Sequence, residues 1–455
     1  MSDYDLDIFV GEVRVAVLTW HPENDSFGLV YDPLWKKTGF ALSPHLSLTG
    51  DIAPIAIRRF LENLLPEGDA LDTVSIYSNI SKSNVFGLIR QLGKETAGAL
   101  TFLPSGQTPQ SLQSAMRQIP DDELQARIDH RADQPFSVWD GKVRMSLAGF
   151  QDKLLVVRTD AKTYLVDGAL SSTHLLKPEP RRAILPHMVA NEHFCMTWAS
   201  RLSKRRYGVD HVAAVDLLRV PAPVLCVRRF DRETTTQTVG LATGQPQNRV
   251  KRIHVIDGCQ AANLPVSHKY ERNIGNGHDV RHIRDGASFE KMFGLRASLA
   301  VPAQSIQKLM FWAVSTLLLG NSDAHGKNIS FYVDRDGLRV AELYDLVSVL
   351  QYDPDKLEHN LAMAFGDEFV LDNVKSYAVA DFCLRAKIPR STFARELQTL
   401  CLLAIQEAMA QAESPIYQNE EVLFVRNIAN FITTRAQTLL KQTKEIARYK
   451  AENLT

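Results

Sequence analysis

The sequence predicts an α+β protein of two lobes, β-rich in its first half and helical in its second. Short apolar strand signals dominate from Val143 to Asp231, and helical periodicity takes over after about Gly286. Between Leu317 and Val333 the stretch "LLLGNSDAHGKNISFYV" interrupts an apolar run with a polar cluster and then resumes it, as a loop held between two buried elements would. At 455 residues the chain can bury a large core and divide into two or three domains or subdomains.

Taken in order, "LDIFVGEVRVAVLTW" alternates around a glycine and predicts a hairpin. "IAPIAIRRFLENLLPEG" carries apolar residues at helical spacing, and "SNVFGLIRQLGKETAGALTFLP" predicts a helix, a turn and a strand. Residues 1–110 are therefore expected to form an N-terminal α+β subdomain. The polar stretch from Pro104 to Gln134 is expected to be a link with one short helix. Residues 135–232 supply the strands "KLLVVRT", "HLLK" and "VLCVRRFD" around one helix, "LPHMVANEHFCMTWASRLSKR". "QPQNRVKRIHVIDG" and "ERNIGNGHDVRHIRDG" are basic and expected to be irregular. Residues 233–455 are otherwise expected to be helical, through "IQKLMFWAVSTLLLG", "VADFCLRAKI" and two long C-terminal helices. Two lobes leave a cleft for a ligand.

Lysine plus arginine and aspartate plus glutamate number 52 each, so no global basic excess announces a nucleic-acid or membrane partner. The five cysteines are scattered without a CxxC pair and are expected to be reduced thiols of a cytoplasmic protein. The start "MSDYDLDIFVGE" lacks the features of a signal peptide, and no apolar run approaches the ~18 residues of a membrane span.

The polar cluster has a chemical reading. Gly320 caps an apolar helix, and Asp323 and Asn328 then follow with the D-x-x-x-x-N spacing of a protein-kinase catalytic loop. In that chemistry the aspartate accepts the proton of an attacking hydroxyl and the amide oxygen holds magnesium, a hard cation that takes oxygen ligands. The spacing alone also fits a solvated helix-to-strand loop. "ISFYV", "DRDG" and "LRVAELYD" predict a hairpin that would bring Asp345 back towards Asn328, at about the ~5 Å strand spacing. Lys177 ends a strand and reads either as a phosphate ligand or as a lysine reaching for water. Glu192 lies mid-helix among apolar residues, as a partner for such a lysine or as a surface carboxylate.

The segments "VRMSLAGFQDKLLV", "THLLKPE", "NEHFC", "VRRFDR", "GNSDAHGKN" and "LYDLVS" resemble, in order and approximate spacing, those of the HipA family. These are serine/threonine-kinase toxins of bacterial type II toxin–antitoxin pairs. "LSLTG", "FLENLLPEG" and "GKETAGALTFLP" resemble the family's first subdomain, so the likeness spans essentially the whole chain. The resemblance implies a two-lobed protein-kinase-like fold that uses ATP and Mg. It matches Asp323 to the catalytic aspartate and Asn328 and Asp345 to the metal ligands. Lys177, His325 and Tyr344 are matched to the nucleotide site, with Glu192 in support. The segment Ala148, Gly149, Phe150, Gln151, Asp152 and Lys153 is matched to the phosphate-covering loop, although it has one glycine and is not G-x-G-x-x-G. Arg228, Arg229 and Phe230 are matched to the strand that meets adenine, with Arg228 where family members can carry glutamate. Ser146 is matched to an autophosphorylated serine. The implied partners are a HipB-like helix-turn-helix antitoxin and a protein substrate, an aminoacyl-tRNA synthetase. DNA is implied only through the antitoxin, because the segment "LAMAFGDEFVLD" is acidic where some members are lysine-rich. A non-catalytic co-repressor and a small-molecule kinase of similar fold are the competing readings.

Overall fold

The computed structural model describes residues 3–144, 151–159, 161–240 and 246–454. Ser146, Ala148, Gly149 and Phe150 lie outside the described residues. Helix and strand are mixed along the chain, which divides into two compact units. One comprises Met1–Pro178, Leu218–Ile256 and Phe331–Gly337, the other Glu179–Leu217, Asp257–Ser330 and Leu338–Thr455. Among the described residues no helix is long and apolar enough to cross a membrane. All five cysteines are buried free thiols.

In the first unit the expected hairpin forms from Asp5–Val10 and Val13–His21, with Gly11 turning at φ +59. Ser26–Tyr31 and Leu100–Pro104 flank it in a four-stranded antiparallel sheet. Helix Pro54–Leu64 packs its Ile57, Phe60 and Leu61 face against this sheet, and helix Val85–Leu92 contributes Phe86, Leu88 and Ile89. A second, six-stranded sheet runs in the order Val215–Arg219, Pro223–Arg228, His174–Pro178, Leu154–Thr159, Lys162–Asp167, Ala115–Ile119. Leu154, Val156, Leu165, Leu176, Val224 and Cys226 meet Phe136 and Trp139 in its core.

Two segments differ from expectation. The polar stretch after Pro104 is more than a link: Ala115–Ile119 is the edge strand beside Lys162–Asp167, followed by helix Asp121–Asp129. An edge strand buries little, here fully only Ile119, so the apolar signal was weak. The basic "QPQNRVKRIHVIDG" is not irregular but contains strand Pro246–Arg252, paired in a two-stranded ribbon with Arg232–Gly240.

Two arginines at the base of the ribbon, Arg232 and Arg252, join a buried charge cluster with Arg229, Asp231 and Glu95. Arg229 makes a two-pronged contact with Asp231, Nε to Oδ1 at 3.0 Å and Nη2 to Oδ2 at 2.8 Å. Arg232 donates to Asp231 and to the Gly98 and Thr96 carbonyls, and Arg252 donates to the carbonyls of Lys94, Thr96, Gly98 and Leu100. Glu95 joins through Ser172, whose N–H and hydroxyl each donate to it at 2.7 Å. Burial alone would raise the Asp231 and Glu95 carboxyls, but the surrounding guanidinium charges hold both below the usual carboxylate range.

His254 lies next to this cluster, buried, with Nε2 2.9 Å from the Leu42 carbonyl. Burial lowers its pKa to about 4; the Leu42 bond and Asp231 oppose that shift and the Arg252 charge adds to it. The unfolded chain takes up this proton near pH ~6.5, whereas the folded one resists it until about pH 4. The contribution to stability is therefore complete above pH ~6.5 and is lost as pH falls towards 4. In thermal melts across that window, His254→Gln should lose less stability than the parent, by roughly 1–3 kcal/mol at the acid end. His211, half-buried and also lowered to about 4 by burial, keeps the variant from becoming flat. Identical acid slopes in parent and variant would refute the assignment.

Candidate active site

The second unit builds its polar loop on helix Pro302–Leu319, which opens with proline at N1 and is buried on nearly every side from Leu309 onwards. Gly320 ends it at φ +62, and a Cβ there would lie 2.9 Å from the Phe431 ring, so conformation and space both require glycine. The Asn321 side chain then accepts from the Asp323 N–H at 3.1 Å. The turn closes through His325 N–H to the Asp323 carbonyl at 2.8 Å and Asn328 N–H to the His325 carbonyl at 2.9 Å. Asn328 Nδ2 also donates to the Asp323 carbonyl, at 2.8 Å. Asp323, His325 and Asn328 are thus brought together on one turn. The Asp323 side chain is 48% exposed, whereas His325, Lys327 and Asn328 are buried. The loop offers one carboxylate outward and holds the rest in.

The support beneath is tight. A Cβ on Gly326 would come 2.6 Å from the Ala287 methyl and 2.9 Å from Cys259 Sγ. Lys327 pairs with Asp257 at 2.7 Å, and Asp257 caps the short helix Gly258–Ala261 through a reciprocal bond pair with Gln260. The Tyr344 hydroxyl donates to the Lys327 carbonyl at 2.6 Å and lies 2.8 Å from Ser330 Oγ. Burial pushes this phenol well above its ordinary pKa, so it stays a donor. Asp345 follows at φ +51, in the left-handed region that a non-glycine residue adopts only when its surroundings impose it. They do so here: Leu343 bridges Val212, with hydrogen bonds on both sides to His211 and Ala213.

Three features were not legible in advance. Asn191, fully buried on helix Met188–Tyr207, accepts the Ser348 N–H at 2.8 Å and donates to the Ser348 carbonyl at 3.0 Å. Ser348 Oγ in turn donates to the Leu319 carbonyl at 2.6 Å. Tyr270 donates its hydroxyl to Asp323 Oδ1 at 2.6 Å. The third is the Lys327–Asp257 pair. Each joins residues far apart in sequence with no spacing signature. Glu192, on the same helix as Asn191, is buried at 2% exposure, which excludes the surface alternative.

In the first unit Lys177 is also buried, on strand His174–Pro178 opposite Leu225, and Lys153 is buried just before Leu154–Thr159. Gln151 and Asp152 are half-buried. Arg228 is exposed, while the Arg229 side chain serves the interior cluster and its N–H donates to the Thr173 carbonyl at 3.0 Å. The Phe230 carbonyl accepts from the Tyr332 hydroxyl at 3.2 Å.

Among the described residues no group of three His, Cys, Asp or Glu side chains is arranged to hold a metal ion. Magnesium needs only one or two carboxylates when substrate phosphates and water complete its shell. With the Asn328 Nδ2 committed to the Asp323 carbonyl, the oxygens that would remain to a cation are the Asn328 Oδ1 and the Asp345 carboxylate. This oxygen donor set fits a hard cation.

Residues 6–103 match the family described as the HipA N-terminal domain, and residues 145–412 match the HipA-like C-terminal domain. The serine/threonine-protein kinase toxin HipA of Shewanella oneidensis is 36% identical over 444 residues, covering 97% of each chain. Y4mE of Sinorhizobium fredii, a protein named as a kinase, is 29% identical over 88% of this chain and 89% of its own. A solved Shewanella oneidensis complex of HipA, HipB and operator DNA superposes with a TM-score of 0.84 at 35% identity, covering 98% of this chain and all of that one.

The Asn191 amide makes a direct prediction. Asn191→Leu keeps the bulk but leaves the buried Ser348 N–H and carbonyl unpaired, at ~1–3 kcal/mol for each group so stranded. The denaturation midpoint should fall by an amount equivalent to about 2–4 kcal/mol with little change in slope. A midpoint within error of the parent would show that the amide ties nothing together.

Proposed function

The chain belongs to the HipA family of serine/threonine-protein kinase toxins, and on that premise we propose the chemistry that its residues perform. ATP is the donor, magnesium the cofactor and a serine or threonine hydroxyl of a protein the acceptor. The observation that carries this reading is the loop's geometry: one half-exposed carboxylate, Asp323, fixed by its own backbone turn to the Asn328 amide. Asp323 orients the acceptor hydroxyl and takes its proton as the oxygen–phosphorus bond forms. The bridging bond to the γ-phosphorus breaks, and ADP leaves. Asn328 Oδ1 and the Asp345 carboxylate hold the metal. Magnesium held there would supply positive charge to neutralise the phosphate oxygens. Lys177 takes the α- and β-phosphates, with Glu192 in support. Gln151, Asp152 and Lys153 continue the phosphate-covering loop, and the Arg228–Phe230 strand faces adenine. His325 and Tyr344 hold the nucleotide side of the loop in shape. The strand-rich first unit and the helical second unit are the counterparts of a kinase's two lobes.

The proposed acceptor is an aminoacyl-tRNA synthetase, and the proposed partner is a HipB-like antitoxin through which alone the chain meets DNA. The Shewanella complex supports that partner, and the acidic Phe365–Asp372 region supports indirect rather than direct DNA contact. Kinase and co-repressor roles are compatible in one such complex. The four positions a pseudokinase tends to lose, Lys177, Asp323, Asn328 and Asp345, all carry the active residue types.

Asp323→Asn removes the proton acceptor and keeps the bulk. Transfer of label from ATP to protein in a host lysate should fall by ~10²–10⁴-fold, while the ATP-dependent thermal shift persists. Full transfer by the variant would end the catalytic-loop reading, and identification of the labelled band tests the synthetase.

Ser146 is proposed to be phosphorylated by the kinase itself. Its phosphate would add about −1.5 to −2 charges close to the ATP phosphates, which like-charge repulsion disfavours. Mass spectrometry after incubation with ATP and magnesium should find one phosphate on the "MSLAGFQDK" peptide, with ATP affinity falling as it accumulates. Tight ATP binding by fully modified protein would refute the switch.

A further inference from the structure

We infer that Tyr270 is a positioning residue for phosphoryl transfer, a phenol that locks the carboxylate of Asp323 in its working orientation. The inference rests on the reading of Asp323 as the proton acceptor. The Tyr270 hydroxyl donates to Asp323 Oδ1 at 2.6 Å, within the short range of charge-assisted O–H···O⁻ bonds.

The ring is held from below and from both sides along the chain. Its edge meets His325 at 5.0 Å between centroids and 88° between planes, and His325 Nε2 is itself 3.9 Å from the same oxygen. The preceding carbonyl, on Lys269, accepts the N–H of Gly326 in the catalytic loop at 2.8 Å. The following residue, Glu271, is 3% exposed and bonded on all its polar sides. Its N–H donates to the Ala362 carbonyl, its carboxylate accepts from the Ala364 N–H at 2.8 Å and Arg284 Nε at 2.7 Å, and its carbonyl accepts from the Gly286 N–H. Gly286 is pressed so closely to this strap that a Cβ would overlap the Tyr270 carbonyl oxygen.

The tyrosine is thus strapped to the catalytic loop at one end and to the Ala362–Ala364 segment at the other. Yet Tyr270 is 37% exposed, so its ring adds little to the core. Its contact with consequence for chemistry is the hydroxyl on the carboxylate. An aspartate on a loop, with its side chain half-exposed, has two torsions, χ1 and χ2, to fix before it can act. Pinning one oxygen fixes the plane of the carboxylate before the acceptor hydroxyl arrives, so the ordering cost is met in advance.

The test is Tyr270→Phe, which keeps the ring against His325 and removes only the hydroxyl. Acid-precipitable label from ATP is followed in a host lysate at saturating and limiting ATP, in the parent and in the Asp323→Asn background. The saturating rate should fall on the order of 10- to 100-fold, with KM for ATP, the ATP-induced thermal shift and the melting temperature close to the parent's. In the Asp323→Asn background the same change should cost nothing further, because there is no proton acceptor left to orient. An unchanged rate refutes the inference, as does equal fractional loss in both backgrounds, which would mark a merely structural role. A faster rate also refutes it, because the phenol would then be competing with the acceptor. If Asp323→Asn is crippled and Tyr270→Phe is not, only the positioning role fails; if Asp323→Asn is fully active, the catalytic reading itself fails.

Discussion

One side-chain amide governs the geometry of the second unit. Asn191 is fully buried, and its amide is used on both faces: Nδ2 donates to the Ser348 carbonyl and the Tyr352 hydroxyl, and Oδ1 accepts from the Ser348 N–H and the Cys195 thiol. A two-ended contact of this kind is satisfied in one register only. A shift of one residue in the loop beyond Asp345 would face donor to donor in a dry interior, where each unpaired group costs ~1–3 kcal/mol. Ser348 carries the constraint onwards through its hydroxyl to the Leu319 carbonyl, at the end of the helix that presents Asp323. Helix Met188–Tyr207, the loop that carries Asp323 and the loop beyond Asp345 therefore share one fixed point.

The first unit solves the same problem with charge instead of amides. Arg229 and Arg232 are buried, with Arg252 partly buried beside them, and the carboxylates that face them are Asp231 and Glu95. The surplus positive charge is spread over main-chain carbonyls of residues 94–100, each an oriented dipole. Burial and mutual repulsion lower the Arg252 guanidinium to about 10 and Arg232 well below its ordinary value, while Arg229, closest to both carboxylates, is raised. Such a cluster is a poor source of net stability but a strong source of specificity, because it tolerates few other backbone arrangements. It ties the turn after Lys94 to the strand that ends at Arg228, so the Arg229 side chain serves the fold even if the strand beside it serves a nucleotide.

The divide between what the sequence made visible and what it concealed follows from locality. Asp323, His325 and Asn328 lie within six residues, and their turn is closed by bonds among themselves, so their spacing put them on one loop but did not by itself set a catalytic loop apart from a solvated one. The long helices declared themselves because each buries a broad apolar face. Ala115–Ile119 did not, because an edge strand needs few apolar residues, and Pro246–Arg252 did not, because it carries polar and charged residues and Arg252 is tied to main-chain carbonyls rather than placed by hydrophobicity. Tyr270 and Asn191 were invisible for a third reason. Their partners lie 53 and 157 residues away, and a lone tyrosine or asparagine carries no period.

The strained residue Asp345 shows how these constraints combine. Asp345 at φ +51 costs on the order of 1–3 kcal/mol relative to a relaxed backbone, and it persists only where neighbours over-determine it. Leu343 is fixed by its bridge to Val212, Tyr344 by its bond to the Lys327 carbonyl, and Ser348 by Asn191. With anchors at positions 343, 344 and 348, the chain has little freedom at 345. The Tyr344 anchor is the informative one, because its acceptor is the backbone of the Asp323 loop itself, one residue before Asn328. Lys327 is in turn held by Asp257. A displacement of Asp345 must therefore pull on the loop that carries Asp323 and Asn328, and a displacement of that loop must pull on Asp345. Asn328 and Asp345 therefore behave as parts of one rigid piece, which explains why so polar a cluster is set between two buried runs: the apolar flanks hold the piece still, and the polar atoms that do not face solvent are spent on holding each other.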